Sequence, residues 1–134
     1  MKIAILESTN KQINGHLKQF ETVSYSSLDL LLAEFQNYNV IIIDKQFVST
    51  DVIKLLKTHN IEIVVLNVGK IDFDVFYVSE IIDYSEIDSI KEKIQYIATK
   101  IKIKRLLQKE QEKIVTIKDF SKKINIANLY RKTN

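Results

Sequence analysis

The sequence predicts an α/β domain: a doubly wound, five-stranded parallel sheet with helices on both faces. Three observations carry that expectation. Residues 38–44 contain Val40, Ile41, Ile42 and Ile43 in one unbroken β-branched run. Such a run, without polar alternation, reads as a strand covered on both faces, as in the centre of a parallel sheet. Further short apolar runs, at 2–6, 61–66 and 79–83, alternate with stretches of helical apolar spacing. The order βαβαβαβ with short connections then implies right-handed crossovers between parallel strands.

Taken in order, residues 2–6 form the first buried strand, followed by Ser8, Thr9 and Asn10, all good helix-capping types. Ile13, Leu17 and Phe20 fall at helical spacing and predict a first helix over roughly 10–20. Residues 22–25 read as a second strand. Ser26 and Ser27 can cap a second helix, 28–35, with Leu28, Leu31, Leu32 and Phe35 on one stripe. After the central strand, Ser49, Thr50 and Asp51 start a third helix with Val52, Leu55 and Leu56 inward, ending near His59 and Asn60. Residues 61–66 are the fourth strand. Residues 70–77 read as extended or irregular, with too little chain for a fourth helix and its loops before the fifth strand at 79–83. From about Asp88 a long helix begins, with Ile90, Ile94, Ile97 and Ile101 recurring and no breaker before Glu112. Residues 114–120 alternate like a strand.

Composition narrows the function classes. The 134 residues suit one compact domain, and 46% hydrophobic content suffices for its core. With no cysteine, thiol nucleophiles and thiolate metal sites are excluded. Gly15 and Gly69 stand alone, so glycine-rich phosphate loops and dinucleotide fingerprints are excluded as well. No apolar run approaches a membrane span, and the apolar start reads as a strand rather than a signal peptide, so a cytoplasmic protein is expected. The net charge of +3 hides an asymmetry: residues 1–88 carry 7 basic and 13 acidic residues, residues 89–134 carry 13 and 4. An acidic body is thus followed by a basic tail.

Asp44 closes the central run, where the chain leaves the sheet. In doubly wound folds, sites lie at the carboxyl ends of such strands, and a carboxylate there is reachable from solvent yet backed by apolar residues. Five β/α units with a carboxylate after the third strand make residues 1–112 resemble the receiver domains of bacterial response regulators, whose fold is flavodoxin-like. The resemblance implies two Mg²⁺-holding acidic residues after the first strand and a phosphorylated Asp after the third. It also implies Thr or Ser after the fourth strand and Lys after the fifth. Here Glu7 falls on the first acidic position, Ser8 on the second and Asp44 on the acceptor. Asn67 falls on the Thr/Ser position, and Asp83, Tyr84 and Ser85 surround the place of the missing Lys. Two of the five positions keep suitable chemistry. The implied function is a degenerate receiver of a transcription or signalling regulator, phosphorylation-independent and not an enzyme, with no cofactor and weak Mg²⁺ binding at most. The alternatives are a working phospho-receiver using Asp44, or a small α/β ligand-binding domain or enzyme using the same crevice.

The tail, residues 113–134, resembles the opening β-segment of the winged-helix effector domain of the OmpR/PhoB family. A helix-turn-helix fragment is the rival reading. Neither supplies a complete recognition helix, so DNA would be reached only through an effector domain missing from this chain. The last helix outruns the sheet, which predicts a homodimer paired through Ile101, Ile103, Leu106 and Leu107, with a regulatory protein as further partner.

Overall fold

The computed structural model describes residues 1–8, 13–67, 69–71 and 73–133, with the backbone alone for Asn67 and 115–133. The sheet comprises β1 (Lys2–Leu6), β2 (Glu21–Tyr25), β3 (Val40–Asp44), β4 (Glu62–Asn67) and β5 (Glu80–Asp83). All four pairings are parallel and the spatial order is β2-β1-β3-β4-β5, the flavodoxin-like arrangement. β3 is central, and each of its five residues is buried. The helices are α1 (Leu28–Glu34), α2 (Thr50–Thr58) and α3 (Ile90–Thr133).

Alternation along the strands divides the core in two. Ala4, Leu6, Ile41, Ile43, Ile63 and Val65 share one cluster with Leu31 and Phe35 and with Ile53 and Leu56 of α2. The opposite face carries Ile3, Ile5, Val40, Ile42, Val64 and Leu66, equally buried. Ile13, Leu17, Ile90, Ile94 and Ile97 are buried outside the first cluster and supply the cover there. Ser27 and Ser49 cap α1 and α2, each accepting from an amide three residues on.

Three expectations are corrected and one is met. In place of a first α-helix there is a 3-10 turn, Ile13–Leu17, because Asn14, Gly15 and His16 are weak helix formers. Residues 9–12, where that helix was to start, lie outside the described residues. On α2 the inward pair is Ile53 and Leu56, while Leu55 is 40% exposed. Among the described residues between β4 and β5 there is no fourth helix, as expected, and the 3-10 turn Val75–Tyr77 stands there, capped by Asp74, which accepts from the Phe76 amide. Residues 114–120 are helical rather than extended: α3 runs unbroken to Thr133, since neither Gly nor Pro occurs after Gly69 to stop it.

The chain divides into two units, Met1–Ile97 and Ala98–Asn134. The described residues of the second, 98–133, are the rest of α3. Within it Ile101 is half-buried, whereas Ile103, Leu106, Leu107 and Ile114 are exposed. At 3.6 residues per turn these four fall on the side of the helix opposite Ile101. Among the described residues no helix is long and apolar enough to cross a membrane.

Candidate functional site

The strand order creates the site. From β1 the chain moves outward to β2, and from β3 it moves the other way to β4 and β5, so the crevice between the ends of β1 and β3 is the topological switch point. Glu7 and Ser8 leave β1 on one side of it and Asp44 ends β3 on the other. Tyr84 follows β5 two strands away, and Asn67 ends β4 in register with Asp83.

Asp44 is the hub, only 7% exposed. Its Oδ2 accepts from Ser8 Oγ at 2.6 Å, from the Tyr84 hydroxyl at 2.8 Å and from the Ser8 amide at 3.4 Å. Its Oδ1 accepts from the Gln46 amide at 3.3 Å, which caps the turn Lys45–Phe47. Burial works against ionisation of Asp44. The hydrogen bonds from Ser8, Tyr84 and Gln46 outweigh it and hold the carboxyl below its ordinary range. Tyr84 responds oppositely: burial first, then its bond to Asp44 and the nearby charges of Asp44 and Glu7, push its phenol well above the usual tyrosine value. The arrangement is therefore an ionised carboxylate served by neutral hydroxyl donors.

Glu7 is turned to a different task, its Oε1 accepting from the Ile13 amide at 3.0 Å and so anchoring the 13–17 turn. A Mg²⁺ ion would need lone pairs from several carboxylates with little competition. Here the second acidic position is Ser8, whose hydroxyl hydrogen points at Asp44 Oδ2, and among the described residues no three His, Cys, Asp or Glu gather at one place. The residues present do not fit that ion.

The structure thus brings together Glu7, Ser8, Asp44 and Tyr84 from three strand ends. Asn67 contributes its backbone at the end of β4, and its side chain lies outside the described residues. Ile101 is separated from Ile103, Leu106 and Leu107 by its place on the helix.

Sequence reasoning recognised Tyr84 as the place without a Lys, but not as a donor to Asp44. It missed two further polar clusters. Tyr25 donates to Glu34 at 2.6 Å and shares a hydrogen bond with Tyr38. Glu62, buried at the start of β4, accepts from Ser79 and lies 3.9 Å from Lys57. A carboxylate at the mouth of an apolar run was the available signal for the latter.

No family model matches the chain, and no match to it is found among curated proteins.

Proposed function

We propose that the chain is a degenerate receiver domain of a response or transcription regulator, cytoplasmic and non-enzymatic, which works by protein–protein contact without phosphorylation. The observation that supports this reading is the engagement of one carboxylate oxygen, Asp44 Oδ2, by both Ser8 and Tyr84. A receiver acceptor must present that carboxylate to a phosphoryl group, with a cation and a Lys neutralising the transferred oxygens. Here two hydroxyls replace the second metal carboxylate and the Lys, and they satisfy the acceptor internally. The same residues that remove the chemistry tie the ends of β1, β3 and β5 together, through their hydrogen bonds to Asp44.

On this reading the signal passes through surfaces. The exposed Ile103, Leu106 and Leu107 on the last helix support self-association as one of them, with a regulatory protein as further partner. The test is exposure of the chain to Mg²⁺ with beryllofluoride or acetyl phosphate, followed by amide resonances around Glu7, Asp44 and Tyr84 and by intact mass. The expected result is no site-specific shift and no added phosphoryl group. A Mg²⁺-dependent response that Asp44→Asn abolishes would overturn the proposal.

A further inference from the structure

The turn that replaces a fourth helix exposes an unusual set of side chains. Phe76 is 81% exposed, Val75 and Ile71 lie open beside it in sequence, and Tyr77 meets Phe76 edge to face at 5.0 Å. A lone exposed apolar residue needs no explanation, but an exposed aromatic pair with exposed aliphatic neighbours does. The surrounding sequence is acidic: residues 70–88 carry six Asp/Glu and one Lys, a balance of −5, although Lys93 pairs with two of these carboxylates, Glu80 at 3.3 Å and Glu86 at 3.7 Å. β5, directly after the turn, is an edge strand paired only with β4.

In the second unit the signs are reversed. Residues 98–114 carry six Lys/Arg and two Glu, a balance of +4, and expose Ile103, Leu106, Leu107 and Ile114 on one side of the helix. Pairing this helix in parallel with a twin would set Lys100, Lys102 and Lys113, which flank the apolar side, beside their own copies. Pairing it with the acidic aromatic turn satisfies both the charge and the apolar surface.

We propose that the basic helix, residues 98–114, docks on the acidic turn around Phe76 of a second copy of this chain, with Phe76 as the anchor between Ile103 and Leu107. The proposal rests on the self-association put forward above and specifies the surface that the helix meets. A reciprocal exchange uses both complementary surfaces twice and closes the assembly as a two-fold dimer.

The chain has no cysteine, so single introduced thiols report contacts without background. Phe76→Cys and Leu107→Cys chains are mixed and mildly oxidised, and the dimer is followed by sedimentation from low to high salt. The expected result is a mixed disulfide between the two variants. Association should weaken as salt screens the charges, and Phe76→Ser in the otherwise unaltered chain should raise the dimer Kd about tenfold or more. Circular dichroism of Phe76→Ser should be unchanged, given the exposure of the side chain. Preferential bridging between two Leu107→Cys chains, with association strengthened by salt, would overturn the docking while leaving a helix-mediated dimer in place. A monomer at every salt and concentration would overturn both. So would a monomeric Phe76→Cys/Leu107→Cys chain that closes a bridge on itself.

Discussion

Tyr84 lies 40 residues beyond Asp44 in the chain, and its hydroxyl donates to Oδ2 of that carboxylate across 2.8 Å. The pairing joins the end of an edge strand to the end of the central one. It differs in kind from an ammonium–carboxylate pair: the donor carries no charge, holds its proton through the physiological range, and leaves the site net negative. A site of that character resists a further anion such as a phosphoryl group.

Removing the donor should be costly. Tyr84→Phe keeps the ring and deletes one hydrogen bond to a charged acceptor, for an expected loss of roughly 1.5–2 kcal/mol. Urea unfolding of the two chains measures it. The phenylalanine variant should still refuse beryllofluoride, because Ser8 continues to hold the same oxygen.

Restoring the missing charges should change the chemistry. Ser8→Asp with Tyr84→Lys supplies a second carboxylate and an ammonium at the same three strand ends. Calorimetric titration should then show Mg²⁺ binding that is absent from the parent chain and lost again on adding Asp44→Asn.

The pH dependence has two limbs. Asp44 has its pKa lowered in the folded chain, so its contribution is present above the ordinary value of about 3.9 and is lost as pH falls through the lower folded value. Thermal melts taken downward from about pH 5 should show a decline that is shallower in Asp44→Asn. Tyr84 and Tyr25 are both raised, Tyr25 by burial first and then by its bonds to Glu34 and Tyr38. Their contributions are complete below the ordinary tyrosine value of about 10 and fade as pH rises through their folded values. In an alkaline absorbance titration these two phenols should ionise late, together with unfolding, and Tyr84→Phe should remove part of that late step.

The two neighbouring aliphatics of α2 should separate cleanly. Ile53 is 1% exposed and Leu55 40%. Ile53→Ala is expected to cost roughly 2–4 kcal/mol, and Leu55→Ala under about 1 kcal/mol, in denaturant midpoints at unchanged slope.

The continuity of α3 can be checked through its backbone. Ile117→Pro removes an amide donor inside the helix and should lower the helical circular dichroism by a visible fraction, at a local cost of about 3 kcal/mol. An extended segment would show no such loss.

What the amino-acid order revealed depended on the length of each signal. Val40 to Ile43 could be placed at the sheet centre because four consecutive β-branched residues leave no face for water. The helix stripes were visible but not their phase: Val52, Ile53, Leu55 and Leu56 admit two rotations, and only packing against Ile63 and Val65 selects Ile53. Residues 114–120 misled because Ile114, Ile117 and Phe120 are spaced by three while Val115 also suggests alternation; the helix, already propagating from Ile90, decides between them. At the site, the positions Glu7, Ser8, Asp44 and Tyr84 could be assigned from strand ends alone. Their bonding could not, since whether a phenol reaches across two strands depends on side-chain rotamers.

One oxygen of Asp44 draws its donors from two places of unequal permanence. Ser8 follows β1, which is paired on both sides, whereas Tyr84 follows β5, a four-residue strand held along a single edge. Edge strands fray at a fraction of the free energy needed to open the whole sheet, and amide exchange would register that opening at Ile81 and Ile82 before Ile42 and Ile43. Each such opening withdraws the phenol and leaves the serine. The polarity of the crevice therefore follows the breathing of the sheet margin, and any partner that clasps β5 also tightens a carboxylate it never touches.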